Sequence, residues 1–204
     1  MSSRPNREKR WLLELARRAM SAAVEGREFP GQSSEFSGTE VPGGAFVTLH
    51  RRGRLRGCVG QVLSSQSLVE TIGHCARAAA LDDPRFEPVR PDELGEIEIE
   101  LSILSLFEEI APDQIEAGKH GLMVSRGRQR GVLLPQVATQ FRWNGRRLLE
   151  ETCVKAGFDR DAWKNPEVLV QAFTAEVFSE SELRDDADAT VAAPAGKAPY
   201  SSST

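Results

Sequence analysis

Two glycines flank a cysteine inside a strand-like segment, and this arrangement constrains the fold more than any other feature of the chain. Residues 55–60 read LRGCVG, with Cys58 between Gly57 and Gly60. Glycine weakens a strand, so two glycines this close indicate a bulge or a close approach of another backbone. We therefore expect a functional site at this segment rather than elsewhere in the chain.

The length, net charge and cysteine content limit the class of protein. A chain of 204 residues fits one domain, which we place at residues 7–182, before a disordered tail at 183–204 rich in Ala, Asp, Ser, Pro and Gly. The net charge of −4 excludes a protein that is basic as a whole. The three cysteines are odd in number and widely spaced, which predicts reduced thiols in a cytoplasm. Neither a signal peptide nor an apolar run that could cross a membrane is recognisable.

Apolar spacing predicts helices and strands that alternate along the chain. The first two strands are joined by a short turn at Gly53 and must be antiparallel. This favours an α+β fold, mostly an antiparallel sheet with flanking helices, over a parallel doubly wound sheet. Helices are predicted at 7–26, 68–81, 135–143 and 148–156, and strands at 45–50, 55–62, 96–101, 122–124, 131–134 and 169–178.

Cys58 is the first candidate for chemistry. Alternation on its strand places Arg56 on the same face, and a neighbouring arginine favours the reactive thiolate form of a cysteine. His50 on the adjacent strand, or His120 from a later loop, would then act as a base. A structural role is the alternative, in which Cys58 is a small packing residue in a strand that approaches another element closely.

Arg85 is the second candidate. It follows Pro84, which fixes the local backbone, so the guanidinium is positioned to hold a carboxylate or phosphate in a forked contact. It would equally pair with the glutamates that share one face of the strand at 96–101. Arg54 and Arg56, on what we expect to be a neighbouring strand, would also neutralise those glutamates.

No spacing typical of a metal or nucleotide site is present. The cysteines and histidines form neither a C-x-x-C nor an H-x-x-x-H arrangement, so we expect no bound metal. The glycines fit neither the dinucleotide nor the phosphate-loop pattern. The three-cysteine cluster motif of radical-SAM enzymes is also missing. The sequence therefore leaves any cofactor unknown.

Several short motifs in a fixed order resemble one family. The chain resembles the Ammecr-domain family, whose microbial members are called AmmeMemoRadiSam system protein A, over about residues 8–180. The family's hallmark is LRGCIG, in which Val59 replaces Ile here. The other matching pieces are Phe46–Leu49, Asp83–Phe86, Glu98–Leu104, Gly118–Leu122, Leu134–Ala138 and Lys155–Gly157.

The resemblance implies a compact α+β fold with a larger and a smaller lobe. It also implies a system shared with a Memo-type protein, similar in fold to extradiol dioxygenases, and with a radical-SAM enzyme, without assigning a reaction. The positions that it carries over as site candidates are Arg56, Gly57, Cys58, Gly60, Arg85 and His120.

Two functions of different classes follow. In the first, the chain is a component of a modification system and binds a small molecule or a target residue in a cleft lined by Arg56, Cys58, Arg85 and His120, with His50 nearby. In the second, it is a non-catalytic module that presents the LRGCVG strand or its basic hairpin turns to a protein or RNA. The single tyrosine and the lack of an aromatic platform on the basic strands argue against RNA.

Overall fold

The chain forms two antiparallel sheets, each with its own helices. The computed structural model describes residues 3–29, 36 and 44–184. Within these residues the elements are α1 (Asn6–Val24), β1 (Ala45–Arg51), β2 (Arg54–Gln61), α2 (Leu68–Leu81), β3 (Ile97–Leu104), β4 (Glu108–Glu109), β5 (Gly121–Arg126), β6 (Gln129–Leu133), α3 (Pro135–Gln140), α4 (Gly145–Lys155), β7 (Leu169–Phe173) and β8 (Ala175–Ser179).

The strands are ordered β2-β1-β3-β8 in the first sheet and β4-β7-β5-β6 in the second. Every pair is antiparallel, so the predicted α+β class is confirmed. Because β2 lies at the edge of the first sheet, the LRGCVG segment has a strand on one side only. This position decides which groups can reach Cys58.

The larger core lies between the first sheet and helices α1 and α2. Alternate residues of β1, such as Val47 and Leu49, are fully buried against these helices. The predicted capping box starts α2: Ser67 accepts from the amide of Glu70, and the Glu70 carboxylate accepts from the amide of Ser67. Leu183 also packs into this core. Residues 185–204, most of the expected tail, lie outside the described residues.

The predicted single strand at 169–178 is in fact two strands in different sheets, which corrects the sequence prediction. β7 belongs to the second sheet and β8 to the first, with Thr174 between them. The amide of Ser105 donates to the carbonyl of Thr174 at 2.9 Å, and the amide of Thr174 donates to Ser105 Oγ at 2.9 Å. Alternation alone cannot show this change, because both halves read as strand.

The glycines of LRGCVG allow close approach, as the sequence predicts. A Cβ at Gly57 would overlap the carbonyl oxygen of Ala79 in α2, and one at Gly60 would overlap the ring of Phe46 on β1. The strand also carries a bulge, since the register with β1 shifts between Leu49 and His50. Protein atoms therefore account for both glycines.

A buried ion pair ties the segment after α2 to the β1–β2 hairpin. Glu93 is only 2% exposed, and its carboxylate accepts from Arg51 at 2.6 Å and from Arg56 at 2.9 and 3.2 Å. Arg56 also donates to the carbonyls of Glu87 and Pro88 at 2.8 and 3.2 Å. These bonds, foremost that of Arg56, lower the pKa of the Glu93 carboxyl to about 2.

The prediction that Arg54 and Arg56 neutralise the glutamates of β3 is wrong. β1 separates β2 from β3, so these residues are not cross-strand neighbours. Glu96 instead pairs with Arg51 and Arg52, each at 2.6 Å. The strand order, which the sequence pattern did not provide, decides these partners.

Replacing Gly57 with alanine is expected to destabilise the fold. The new Cβ meets a backbone carbonyl of α2, so either the helix or the edge strand must move, at a cost of about 3 kcal/mol. Denaturant unfolding measures this cost. Gly95→Ala is the matched control, because nothing lies within 4 Å of its new Cβ; equal losses in the two variants would contradict the packing argument.

Acid is expected to weaken the Glu93 ion pair. The folded-state pKa of Glu93 lies below its ordinary 4.5, so the pair stabilises the protein above that value and loses its effect as pH falls towards about 2. The full contribution is about 3 kcal/mol. Glu93→Gln should lower stability at pH 7 and flatten its decline below pH about 4.5, measured by unfolding across the acid range. Exposed Glu87→Gln should leave the decline unchanged.

Candidate functional site

The backbone of Cys58 is held by side chains where an edge strand would otherwise lack partners. Its amide donates to Asp83 Oδ2 at 2.8 Å, and its carbonyl accepts from Arg85 Nη2 at 3.2 Å. Both residues belong to the segment that follows α2 and precedes β3. One carboxylate and one guanidinium therefore replace a neighbouring strand at this position.

The thiol of Cys58 lies on the sheet face away from the helices. The register pairs Cys58 with Thr48, whose Oγ1 donates to Cys58 Sγ at 3.4 Å. Because the Cys58 amide bonds Asp83, this is a non-hydrogen-bonded pair, in which side chains come closest. The register continues across the sheet to Glu100 and Ser179, so a row of polar side chains extends from the thiol.

Asp83 and Arg85 form a tight ion pair beside the cysteine. Arg85 donates from Nε to Asp83 Oδ1 at 2.9 Å and from Nη2 to Oδ2 at 2.7 Å. These bonds and the Cys58 amide hold the pKa of the Asp83 carboxyl well below its usual range, although burial opposes this. The pKa of Arg85 is raised, first by Asp83 and also by the Cys58 thiol. The arginine that bonds Cys58, through its carbonyl, is therefore Arg85.

Arg56 is placed differently from the sequence expectation. The bulge interrupts the alternation that put it beside Cys58, and its guanidinium is bonded to Glu93 and to two carbonyls of the segment after α2. Gly57 faces α2, and Gly60 lies beneath the Phe46 ring. These three predicted ligand-binding residues thus have evident packing or tethering contacts.

His50 lies on the same strand as Thr48, two residues further along, and pairs with Glu98 on β3. Its Nε2 is buried without a hydrogen-bond partner among the described residues. Glu98 accepts a hydrogen bond from Ser181, which is the main cause of its lowered pKa; the charge of His50 contributes less. His50 therefore shares the open face with Cys58, and no bond between the two is observed in the described part of the chain.

His120 belongs to the second lobe, which is formed by the second sheet with helices α3 and α4. Its Nδ1 accepts from the amide of Glu116 at 3.1 Å, and burial is the main cause of its lowered pKa. It lines a cavity of about 680 Å³ whose other lining residues come from 105–116 and 172–174. Cys58 and Arg85 are not among the lining residues, so the structure does not bring His120 and the thiol together in this cavity.

Sequence analysis did not identify Thr48 as part of the site. It also did not identify the Asp83 carboxylate as the partner of the Cys58 amide. The only available signal was the fixed spacing of Asp83-Pro84-Arg85, which the resemblance had already singled out. The other cysteines differ from Cys58: Cys75 and Cys153 are fully buried, and burial raises the pKa of Cys75 to about 11.

The described residues contain no group of three or more His, Cys, Asp or Glu side chains that could hold a metal ion. No helix among them is long and apolar enough to cross a membrane. The arrangement therefore consists of a half-buried thiol, a hydroxyl donor and a guanidinium, which can contact or bind a polar group.

Comparison with known proteins gives a consistent result. The profile of the AMMECR1 family matches residues 13–178. Protein TK0174 of Thermococcus kodakarensis is 40% identical over 187 residues, covering 85% of this chain and 91% of that protein. A protein of Aquifex aeolicus is 37% identical over 181 residues, covering 85% of this chain and 93% of that protein.

A solved structure agrees in fold. The crystal structure of the uncharacterized protein PH0010 from Pyrococcus horikoshii has a TM-score of 0.69 and 37% sequence identity, and the match covers 83% of this chain and 90% of that one. The sequence profile spans the LRGCVG segment and all of the two sheets except the last residue of β8. The chain belongs to the AMMECR1 family.

Proposed function

We propose that the chain is the A-like component of a Memo- and radical-SAM-associated modification system, in which it binds a small molecule or a target residue at the surface around Cys58. The observation that carries this proposal is the contact set of that cysteine. Its backbone is fixed by Asp83 and Arg85, and its thiol receives a hydrogen bond from Thr48. A residue whose backbone is fixed and whose thiol also has a hydrogen-bond partner is suited to contact a ligand without reorganisation.

Arg85 supplies the electrostatic part of the site. Its side chain is 55% exposed, although two of its nitrogens bond to Asp83. Its third nitrogen, Nη1, has no hydrogen-bond partner among the described residues. A guanidinium fixed on one edge and open on the other binds a carboxylate or phosphate oxygen well. The target group is therefore expected to carry a negative charge next to the part that contacts the thiol.

The partners follow from the resemblance and are part of the same proposal. The LRGCVG segment lacks a cofactor motif of its own, so redox or radical chemistry would be performed by the Memo-type or radical-SAM partner. The role of this chain is recognition, with Cys58 as the contacting thiol. His50 and His120 have no observed bond to that thiol in the described residues, so no base is assigned.

The alternative function, a module that adds a partner's strand to the LRGCVG edge, has weaker support. Strand addition requires free outward amides and carbonyls. At Cys58 both groups are already bonded, to Asp83 and Arg85. This arrangement favours a side-chain ligand over a partner strand at that position.

The reactivity of Cys58 tests the site. We expect iodoacetamide at neutral pH to modify Cys58 in the folded protein and to leave buried Cys75 and Cys153 unmodified, as followed by peptide mass spectrometry. Arg85→Gln should slow the reaction at least about threefold, because the Arg85 guanidinium bonds the Cys58 carbonyl and Asp83 and so helps to fix the position of the cysteine. Arg85→Lys should restore part of the rate.

Arg54→Gln is the matched control, since Arg54 is an exposed residue of the same strand. An equal effect of Arg54→Gln and Arg85→Gln would refute the local role of Arg85. A Cys58 that reacts only after unfolding would make the residue a packing element and remove the basis of the proposal.

Binding to the partners tests the function itself. The Memo-type and radical-SAM proteins encoded in the same genome should be retained by the immobilised chain, and Cys58→Ala or prior alkylation should weaken retention of at least one of them about tenfold. Arg54→Gln should bind like the unmodified chain. If neither Cys58→Ala nor alkylation weakens the retention of the partner proteins, this surface has no role in the system.

A further inference from the structure

The two most exposed large apolar side chains lie in the second lobe, on surfaces of opposite charge. Among the described residues Leu106 is 75% exposed and Phe141 is 57% exposed, more than any other large apolar side chain. A single exposed apolar side chain is common, whereas apolar surface rimmed by polar residues marks an interaction site. Each of these two side chains has charged neighbours, acidic for Leu106 and basic for Phe141.

Leu106 lines the cavity of about 680 Å³ that also contains His120. The rim carries Glu108, Glu109 and Asp113, and these carboxylates form no ion pair within the described ranges. Residues 105–116 include four acidic residues and no basic residue. The cavity therefore has a mixed lining, in which Leu106 and Phe173 stand among polar residues, and its acidic residues make it negative.

Phe141 lies on a surface of the opposite kind, here called the arginine patch and defined as Phe141, Arg142, Trp143 and Arg146. The Phe141 and Trp143 rings stack with centroids 5.0 Å apart, and Arg146 lies over the ring of Trp163 at 4.2 Å. Neither Arg142 nor Arg146 has a carboxylate partner in the part of the chain that the structure describes. Residues 117–149 contain seven Lys or Arg and no Asp or Glu.

The backbone turn after α3 determines where this patch lies. Arg142 has a φ of +54°, a left-handed conformation that L side chains adopt at a cost of about 1 kcal/mol. Its exposed guanidinium makes no compensating contact among the described residues. The left-handed residue ends α3, since the amide of Trp143 donates to the carbonyl of Ala138 at 2.8 Å, and this turn places Phe141, Arg142 and Trp143 together at the surface.

The cavity and the arginine patch are adjacent. The loop at 115–120 runs between them: a Cβ at Gly118 would lie 3.0 Å from Thr139 Oγ1 in α3, and Gly145 at the start of α4 packs on the carbonyl of Ile115. Two complementary surfaces side by side on one molecule can meet their counterparts on a second copy around one two-fold axis.

We propose that the arginine patch of one chain docks into the acidic-rimmed cavity of a second copy, and the reverse, forming a closed two-fold dimer. Phe141 enters the cavity beside Leu106, and Arg142 and Arg146 meet the carboxylates of the rim. A second copy fits better than a nucleic acid because the acidic residues next to the patch would repel a polyphosphate backbone. The reciprocal arrangement uses both surfaces of each copy, so no docking surface is left to extend a chain of subunits.

Sedimentation equilibrium of the full chain tests the proposal. We expect a monomer–dimer equilibrium with a dissociation constant at or below about 100 μM. Phe141→Ala, Arg142→Glu and Glu109→Arg should each weaken it at least about tenfold. An equimolar mixture of the Arg142→Glu and Glu109→Arg proteins should dimerise again, because reversed charges then face each other at one contact and native charges at the other.

Arg128→Glu is the matched control, an exposed arginine on the β5–β6 turn outside the patch, and it should dimerise like the unmodified chain. Thermal melting verifies that each variant is folded. A chain that stays monomeric up to about 1 mM overturns the proposal. Three other results would also overturn it. These are single charge reversals that leave the equilibrium unchanged, a mixture of the two variants that does not dimerise, and an oligouridylate that binds the arginine patch more tightly than a second copy does.

Discussion

The bond between the Cys58 amide and the Asp83 carboxylate is the contact on which the rest of the candidate site depends. An edge strand exposes unpaired amides and carbonyls, and here the segment after α2 supplies the missing partners from two side chains. A hydrogen bond to a charged group is worth about 1.5–3 kcal/mol, more than an ordinary one. The same carboxylate holds the Arg85 guanidinium, which donates to the Cys58 carbonyl. Asp83 thus supplies the missing hydrogen-bond partner at the sheet edge and positions the Arg85 guanidinium.

The second determinant is the crossing between the two sheets at Ser105 and Thr174. Both connections between the lobes pass through this point, where the two residues bond to each other through backbone and side chain. Cys58 lies at the outer edge of the first sheet, and His120 lies in the cavity beside the second sheet. The chain therefore presents two separate surfaces, one built around a thiol and one around an acidic-rimmed cavity.

Local rules were sufficient for much of this structure. The β1–β2 hairpin, the Ser67–Glu70 capping box and the stop of α4 before Gly157 follow from residue spacing and turn chemistry alone. The close approach at Gly57 was also expected, although not its partner in α2. These features depend on neighbours within a few residues, where propensities and periodicity are informative.

The remaining features depend on contacts between distant parts of the chain. The bulge near Arg56, whose guanidinium bonds Glu93, breaks the alternation of side chains along β2. No residue type in this segment indicates the bulge. The position of β2 at the edge made Asp83 a partner of Cys58 and removed Arg54 and Arg56 from the glutamates of β3. The alternation of apolar and polar residues does not reveal the change of sheet at Thr174. Strand order is set by the packing of the whole domain, which single-sequence patterns do not contain.

Amide hydrogen exchange at Cys58 tests the central claim most directly. If Asp83 replaces a neighbouring strand, the Cys58 amide should be protected in the native protein, and Asp83→Ala should speed its exchange at least about tenfold while the Val59 amide, which points towards β1, stays protected. Asp82→Ala, at an exposed neighbour, should change neither rate. A Cys58 amide that exchanges equally in the native protein and in Asp83→Ala would contradict the account.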